Sequence, residues 1–557
     1  RHRFGSLAWA VPRLASAPVA PPRLGQSHRF ASAQPLCRTA HPDIMDALGS
    51  EALARQFFSL HSREAATAID AVRPSLLQEA HVVRSGPAML YRWQKLFKHL
   101  EQPRCCLHIL VLGGSVACGS FSSLFGRRKG VTPATFNTTY AVHLERYLNS
   151  HRSSCCQESH LVENRCFPGA GSSYINSNFE RVVEEPPLRA RRQWDLIIVD
   201  VGPNDFNAFV LDDLRRGHGM NGMQASIVEW ETEALIRRIS TMQHPVPVMF
   251  MENAWFDSAR CSEPFGAFNV HLPVLKHYGV PTLHMIGPLA RICGANETTP
   301  SASRQTAAVQ VGNRTSSTPA ELCRSRMLAD ALHLSAQGHL IGAFFLVNVL
   351  ILERLRSGLN RVSTRDLPSP LASIADLEDL IMAPSTLLDF SNPAGRWIEA
   401  ITKINGWQWR VDRKLPSGMY EHVNFSAGER LLAGDKLGLV AVAPKASIEA
   451  NLVFKNGTLR VGYLTTPERT RKGATIRITL LPQQRQNWHP MHLASREVLL
   501  NSDWNLNVSI YRAVNFHFAP SNFHDGPEAS IRDWRPRPVR FELLTGKSFK
   551  LYTIKSV

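Results

Sequence analysis

The sequence predicts an α/β fold built on a parallel sheet, followed by a β-rich region. First, the short apolar runs Leu107–Leu112, Trp194–Val201, Pro247–Glu252 and, more weakly, Thr282–Ile286 are rich in β-formers. Strands covered on both faces lose their polar alternation and read as continuous apolar runs. Second, stretches of helical periodicity, Thr139–Leu148 and roughly Ala225–Met242, lie between them, the pattern of crossover connections in a parallel sheet. Third, the texture changes beyond Asn360. Lys436–Val442, Ser447–Phe454, Leu459–Leu464 and Thr475–Leu481 are short strand-like runs, most of them separated by breaks containing Gly or Pro, which is how a β-sandwich reads.

A chain of 557 residues exceeds what one hydrophobic core supports, and about two or three domains are expected. Residues 1–42 carry no acidic side chain and are rich in Arg, Ala, Ser and Pro. This composition is that of a disordered or organelle-targeting segment, and it lacks the continuous apolar core of a secretory signal. The chain begins without Met, so Met45 is a candidate start. The expected organisation is an α/β domain with N-terminal helices over 43–360, a Ser/Pro/Leu-rich linker over 361–396 and a β-rich domain over 397–557. Glu51–Leu60, Glu64–Val72 and Pro87–Leu100 carry apolar residues at helical spacing, with Pro74 as an interruption. No apolar run reaches the roughly 18 residues of a membrane span, and Leu340–Leu352 reads as a buried helix.

The net charge of +17 would suit a polyanion, but the basic residues are dispersed and no nucleic-acid motif is present. Nucleic acid is therefore not expected as a partner, whereas acidic glycan or anionic lipid is compatible with the charge. The ten cysteines show no CxxC pattern of a metal site. Cys155, Cys156, Cys166, Cys261, Cys293 and Cys323, with Asn-x-Ser/Thr sites at Asn137, Asn296, Asn313, Asn424, Asn456 and Asn507, favour a secretory or extracellular location over an organelle.

Four segments carry candidate chemistry. Leu107–Gly119 reads as a strand broken by Gly113 and Gly114, with Ser115 at the turn. A Ser on such a turn is free of the strand ladder and faces open N–H groups, although a capping Ser on a structural Gly-Gly turn reads the same way. Asn164–Tyr174 is Gly-rich, and Gly171 either donates its N–H to an oxyanion or only shapes a turn, with Ser172 and Ser173 available to cap a helix. Asn204, in Gly202-Pro203-Asn204-Asp205 after the second strand, either points its amide across the sheet-edge crevice or closes a turn. Asp330 and His333 are three residues apart before the long apolar helix, where Ser335 is placed to cap. They form the base half of a triad, a cap, or half of a metal site.

Taken in order, Gly-Gly-Ser115, Gly171 in its Gly-rich turn, Gly-x-Asn204-Asp and Asp330-x-x-His333 resemble the blocks of the SGNH hydrolase superfamily, the GDSL-type lipases and esterases. The resemblance covers Leu107–His339. It implies a three-layer α/β/α sheet, with Ser115 as nucleophile, His333 as general base and Asp330 as its orienting partner. It further implies an oxyanion hole of the Ser115 N–H, the Gly171 N–H and the Asn204 side chain. Gly114 departs from the family's commonest motif, which has Asp there, and Ala117 excludes the Gly-x-Ser-x-Gly elbow. No metal or organic cofactor is required. The expected activity is hydrolysis of an acyl ester, of acetyl type and on a glycan or small molecule. An acyltransferase using the same triad, or an inactive glycan-binding protein, remains open as an alternative. Trp407, Trp409 and Tyr420 read as core aromatics, with a sugar-stacking platform as the alternative.

Overall fold

The computed structural model describes residues 51–60, 80–100, 106–119, 137–151, 158–184, 193–206, 223–242, 244, 246–253, 268–285, 288, 327–328, 333–359, 366–371, 386–389, 400–414, 420–424, 436–452, 458–467, 474–481, 497–504, 511–517, 537–546 and 549–556. The first part is built on strands β1 (His81–Val83), β2 (His108–Gly113), β3 (Leu161–Cys166), β4 (Leu196–Asp200), β5 (Val248–Glu252) and β6 (Thr282–His284). They form one six-stranded sheet in the order β1-β6-β5-β4-β2-β3. Strands β2 to β6 pair in parallel, and β1 adds an antiparallel edge. The helices are α1 (Glu51–Ser59), α2 (Pro87–Leu100), α3 (Tyr140–Ser150), α4 (Ser172–Ser177), α5 (Gly202–Asp205), α6 (Met223–Ser240), α7 (Phe268–Tyr278) and α8 (Ala336–Leu359). Helices α2 and α3 pack on α8, while α4 and α7 pack on α6, which gives the two helical layers of an α/β/α arrangement.

Every residue of β2, β4 and β5 is buried, as their unbroken apolar runs require. The described ones among the expected strands and helices appear within two residues of their sequence-read limits, except that the Leu340–Leu352 helix extends over Ala336–Leu359. Among the described elements of the first part, β1, β3 and α7 do not follow from the sequence pattern. The β3 sequence LVENRC lacks an apolar run because it sits at the sheet edge, where only one of its residues is buried. β1 is too short to show periodicity. α7 carries Pro273 inside it, which interrupts the helical pattern. The expected Glu64–Val72 helix lies outside the described residues.

Helix α8 is long and apolar enough to cross a membrane by composition, yet most of it is buried in the core. Phe344, Phe345, Leu346 and Val347 are covered by the sheet and by α1, whose Phe57 and Phe58 rings meet Phe344 at 5.4 and 5.2 Å. Burying each such side chain contributes roughly 1.5–3 kcal/mol.

Beyond residue 385, a seven-stranded sheet and a five-stranded sheet close on a common core. Leu439, Leu459, Val461, Leu551 and Ile554 come from one sheet, and Ile448, Ile476, Ile478, Val539 and Phe541 from the other. Trp407 is buried in this core and Trp409 packs on it, as core aromatics do; the Tyr420 side chain lies outside the described residues. Leu464, Tyr511 and Tyr552 of the β-rich region belong instead to the core of the α/β part, so the two parts share buried surface.

Ser335 caps α8 as its position predicts: its Oγ accepts the Gly338 N–H at 3.1 Å. Ser335→Ala is expected to cost about 1 kcal/mol in a urea unfolding titration, with no change of secondary structure.

Candidate active site

Ser115 lies just past the C-terminal end of β2. Successive strands are laid down on opposite sides of β2, so this is the topological switch point of the sheet, where open α/β sheets form their ligand crevice. The turn is fixed on both sides. Gly114 N–H donates to the Asp200 carbonyl at 3.2 Å, Phe167 N–H to the Gly113 carbonyl at 2.8 Å, and Cys118 N–H to the Gly114 carbonyl at 3.1 Å. A disulfide joins Cys118 to Cys166 at the end of β3, and the Asn164 amide donates to the Ala117 carbonyl at 2.7 Å. Both glycines of the turn are required by space. A Cβ at Gly113 would meet Ala117 and the Asp200 carbonyl, and one at Gly114 would overlap Asn204 Nδ2.

Asn204 is buried on the single turn α5, directly after β4. Gly171 is the N-cap of α4, in a loop whose Gly169 has a φ of +89°, a conformation that favours glycine. The structure corrects one detail of the sequence reading. Ser172 and Ser173 sit inside α4 and make no cap; the Ser172 N–H donates instead to the Asp205 carboxylate, at 2.9 Å to Oδ1. Asp205 Oδ1 fills the place where a Cβ of Gly171 would stand. Among the described residues, no acceptor takes the N–H of Ser115, the N–H of Gly171 or the Nδ2 of Asn204.

His333 is brought to the same edge from the segment before α8, and its Nε2 lies 2.8 Å from Ser115 Oγ. The imidazole is buried and Ser115 is partly exposed. Asp330 lies outside the described residues.

Sequence reasoning missed a chain of buried groups under this edge. Glu252, at the end of β5, accepts from His271 Nδ1 at 2.6 Å, and His271 Nε2 reaches Asp205 Oδ2 at 3.2 Å. All three side chains are within 1% of full burial. Burial alone would lower the His271 pKa, but the Glu252 and Asp205 carboxylates outweigh it and raise it to about 10, so the ring is an imidazolium donating from both nitrogens. Asp200 at the end of β4 is raised to about 7, chiefly by burial and against hydrogen bonds from Asn253 and Tyr140. The only sequence signal for these groups was Asp205 beside Asn204; His271 sits in the Pro-interrupted helix, and Glu252 ends a strand that reads as apolar. At the opposite, N-terminal end of β2, Cys106 Sγ, His108 Nε2 and a Glu158 carboxylate oxygen lie within 4.8 Å of one another, a donor set compatible with a divalent metal and remote from Ser115.

The chain matches no protein-family model and no curated protein. Among solved structures it is similar to CEX, a two-domain esterase active on acetylated mannans, with 14% identity and a TM-score of 0.53 over 86% of this chain and 98% of that one. The structure of that esterase with mannopentaose gives 14% identity and a TM-score of 0.50, over 86% and 97%. This chain shares the fold of a two-domain esterase. The likeness runs through both the α/β and the β-rich parts, with Ser115 at the sheet edge of the first.

Gly114→Ala is expected to displace Asn204 and to destabilise the protein by about 1–3 kcal/mol, read as a lowered midpoint in chemical unfolding. His271 gives a pH signature. Its folded pKa of about 10 lies above the ordinary 6.5, so its contribution is complete below pH 6.5 and is lost as pH rises through 10. The stability gap between wild type and His271→Gln should be widest near pH 6 and narrow towards pH 10 in parallel urea titrations.

Proposed function

We propose that this chain is a serine esterase of the SGNH type that removes acyl groups, in particular acetyl groups, from a glycan. The observation that supports it best is the 2.8 Å approach of His333 Nε2 to Ser115 Oγ, beside three donors with no acceptor among the described residues. In this reading His333 accepts the Ser115 proton as Oγ attacks the ester carbonyl. The negative charge then developing on the carbonyl oxygen is met by the N–H of Ser115, the N–H of Gly171 and the Asn204 amide. His333 returns the proton to the departing alcohol, and water, activated by the same imidazole, releases the acid from the acyl-serine. Asp330, three residues before His333, is the proposed orienting carboxylate. The chemistry draws on these side chains and a water molecule, without a cofactor.

The glycan assignment is supported by a fold shared with an esterase active on acetylated mannans. The SGNH assignment is supported by the chain order of the blocks at Ser115, Gly171, Asn204 and His333 and by the contact of the first with the last. The division into a catalytic part over 43–360, a connection over 361–396 and a β-rich part over 397–557 belongs to the same proposal. The Cys118–Cys166 disulfide is consistent with an oxidising, secretory compartment.

With 4-nitrophenyl acetate and an acetylated glycan as substrates, Ser115→Ala and His333→Ala are each expected to lower kcat by at least about a thousandfold. Wild-type turnover in Ser115→Ala would refute the esterase reading, and product transferred to an added sugar faster than to water would assign the same site to an acyltransferase.

A further inference from the structure

A buried arginine from the β-rich region reaches into the α/β part directly behind the Gly171 loop. Arg460 lies on the strand Thr458–Leu464 and is 4% exposed. Its Nε donates to Ser177 Oγ at 3.1 Å and its Nη2 to Ser173 Oγ at 3.1 Å. The two serines are four residues apart on α4, one turn of the same helix face. The Nη2 also pairs with Glu231 of α6. Glu231 in turn accepts the Asn176 amide on its backbone carbonyl and on Oε2, both at 2.7 Å. One guanidinium fork thus ties α4, α6 and the β-rich strand together in a place closed to water.

A second set of contacts runs to the same loop. The neighbouring strand Tyr511–His517 sends its first N–H to the Gly169 carbonyl at 3.2 Å. Phe167 stacks on Tyr174 at 4.5 Å, and these rings meet Tyr552 and Tyr511 edge-on at 5.7 and 4.9 Å. Gly169 and Ser173 are linked to the β-rich region, and Gly171 and Ser172 stand against or bond to Asp205.

We propose that Arg460 is a positioning residue for the acyl-transfer site: through Ser173 and Ser177 it fixes α4, and with it the direction of the Gly171 N–H, so that the β-rich region is a working part of the oxyanion hole. The proposal rests on the reading of Gly171 as an oxyanion donor. A preorganised donor stabilises the transition state more than the bound ester, and misplacement by about 1 Å costs up to about a hundredfold. Loosening α4 should therefore lower kcat and spare KM. Lysine cannot replace the fork, because its single ammonium has no fixed geometry for three acceptors at once.

The test must avoid stranding a buried charge, since removing Arg460 alone leaves Glu231 unpaired. The double variant Glu231→Gln/Arg460→Met removes both charges, and Ser173→Ala/Ser177→Ala removes the two hydroxyl acceptors while keeping the ion pair. Both are assayed with 4-nitrophenyl acetate beside wild type and Ser115→Ala, with near-ultraviolet circular dichroism as the check on folding. The expected result is a kcat at least about tenfold lower in each folded double variant, with KM within about twofold. Inhibition by phenylboronic acid, which forms a tetrahedral adduct with a nucleophilic serine, should weaken in proportion. Unchanged kcat and boronate inhibition in either folded double variant would overturn the role of Arg460. Retention of turnover by Ser115→Ala would instead overturn the esterase reading beneath it.

Discussion

The edge of the sheet is organised by a volume that only one group can fill. Asn204 Nδ2 stands where a side chain at position 114 would have to be. This close approach lets the turn after β2 and the turn after β4 lie against each other with Ser115 between them. Gly113 faces the same restriction from Ala117 and Asp200, so the pair of glycines is a packing requirement before it is anything chemical. The disulfide to Cys166 and the backbone bonds among Gly113, Gly114, Phe167 and Asp200 hold the turn once it has formed. The order is causal: strand positions set the loops, the glycines let the loops meet, and the Ser115 hydroxyl comes to lie 2.8 Å from the His333 imidazole.

Much of this was legible in the residues. The parallel strands announce themselves as apolar runs because both faces are covered, and Ser115, Asn204 and the Gly171 loop sit at their ends. The contact of Ser115 with His333, separated by 218 positions, follows from block order and from the tendency of α/β folds to bring such blocks to one sheet edge. What was not legible had physical reasons. β3 is an edge strand with a polar sequence, α7 contains a proline, and β1 is three residues long. The ion chain Glu252–His271–Asp205 escapes any local pattern, since its members come from a strand end, a helix and a turn. Nor does any feature near Gly171 point to Arg460, 289 positions on by numbering (460 − 171).

Charge placement follows a consistent logic beneath the edge. Isolated buried carboxylates would be costly. Here Asp205 and Glu252 share one imidazolium, and Glu231 meets one guanidinium. Such pairs add little net stability over an apolar core, but their hydrogen bonds are directional. They end on the Ser172 N–H and on Ser173 Oγ, the two positions that follow Gly171. The β-rich region supplies the second of these bonds, through Arg460.

The most direct test of the central claim is covalent. The protein is incubated with a fluorophosphonate, digested, and the modified peptide identified by mass spectrometry. A nucleophilic hydroxyl activated by His333 predicts one phosphonyl adduct on Ser115, suppressed in His333→Ala. An unlabelled Ser115 in folded protein, or labelling unaffected by removal of His333, would contradict it.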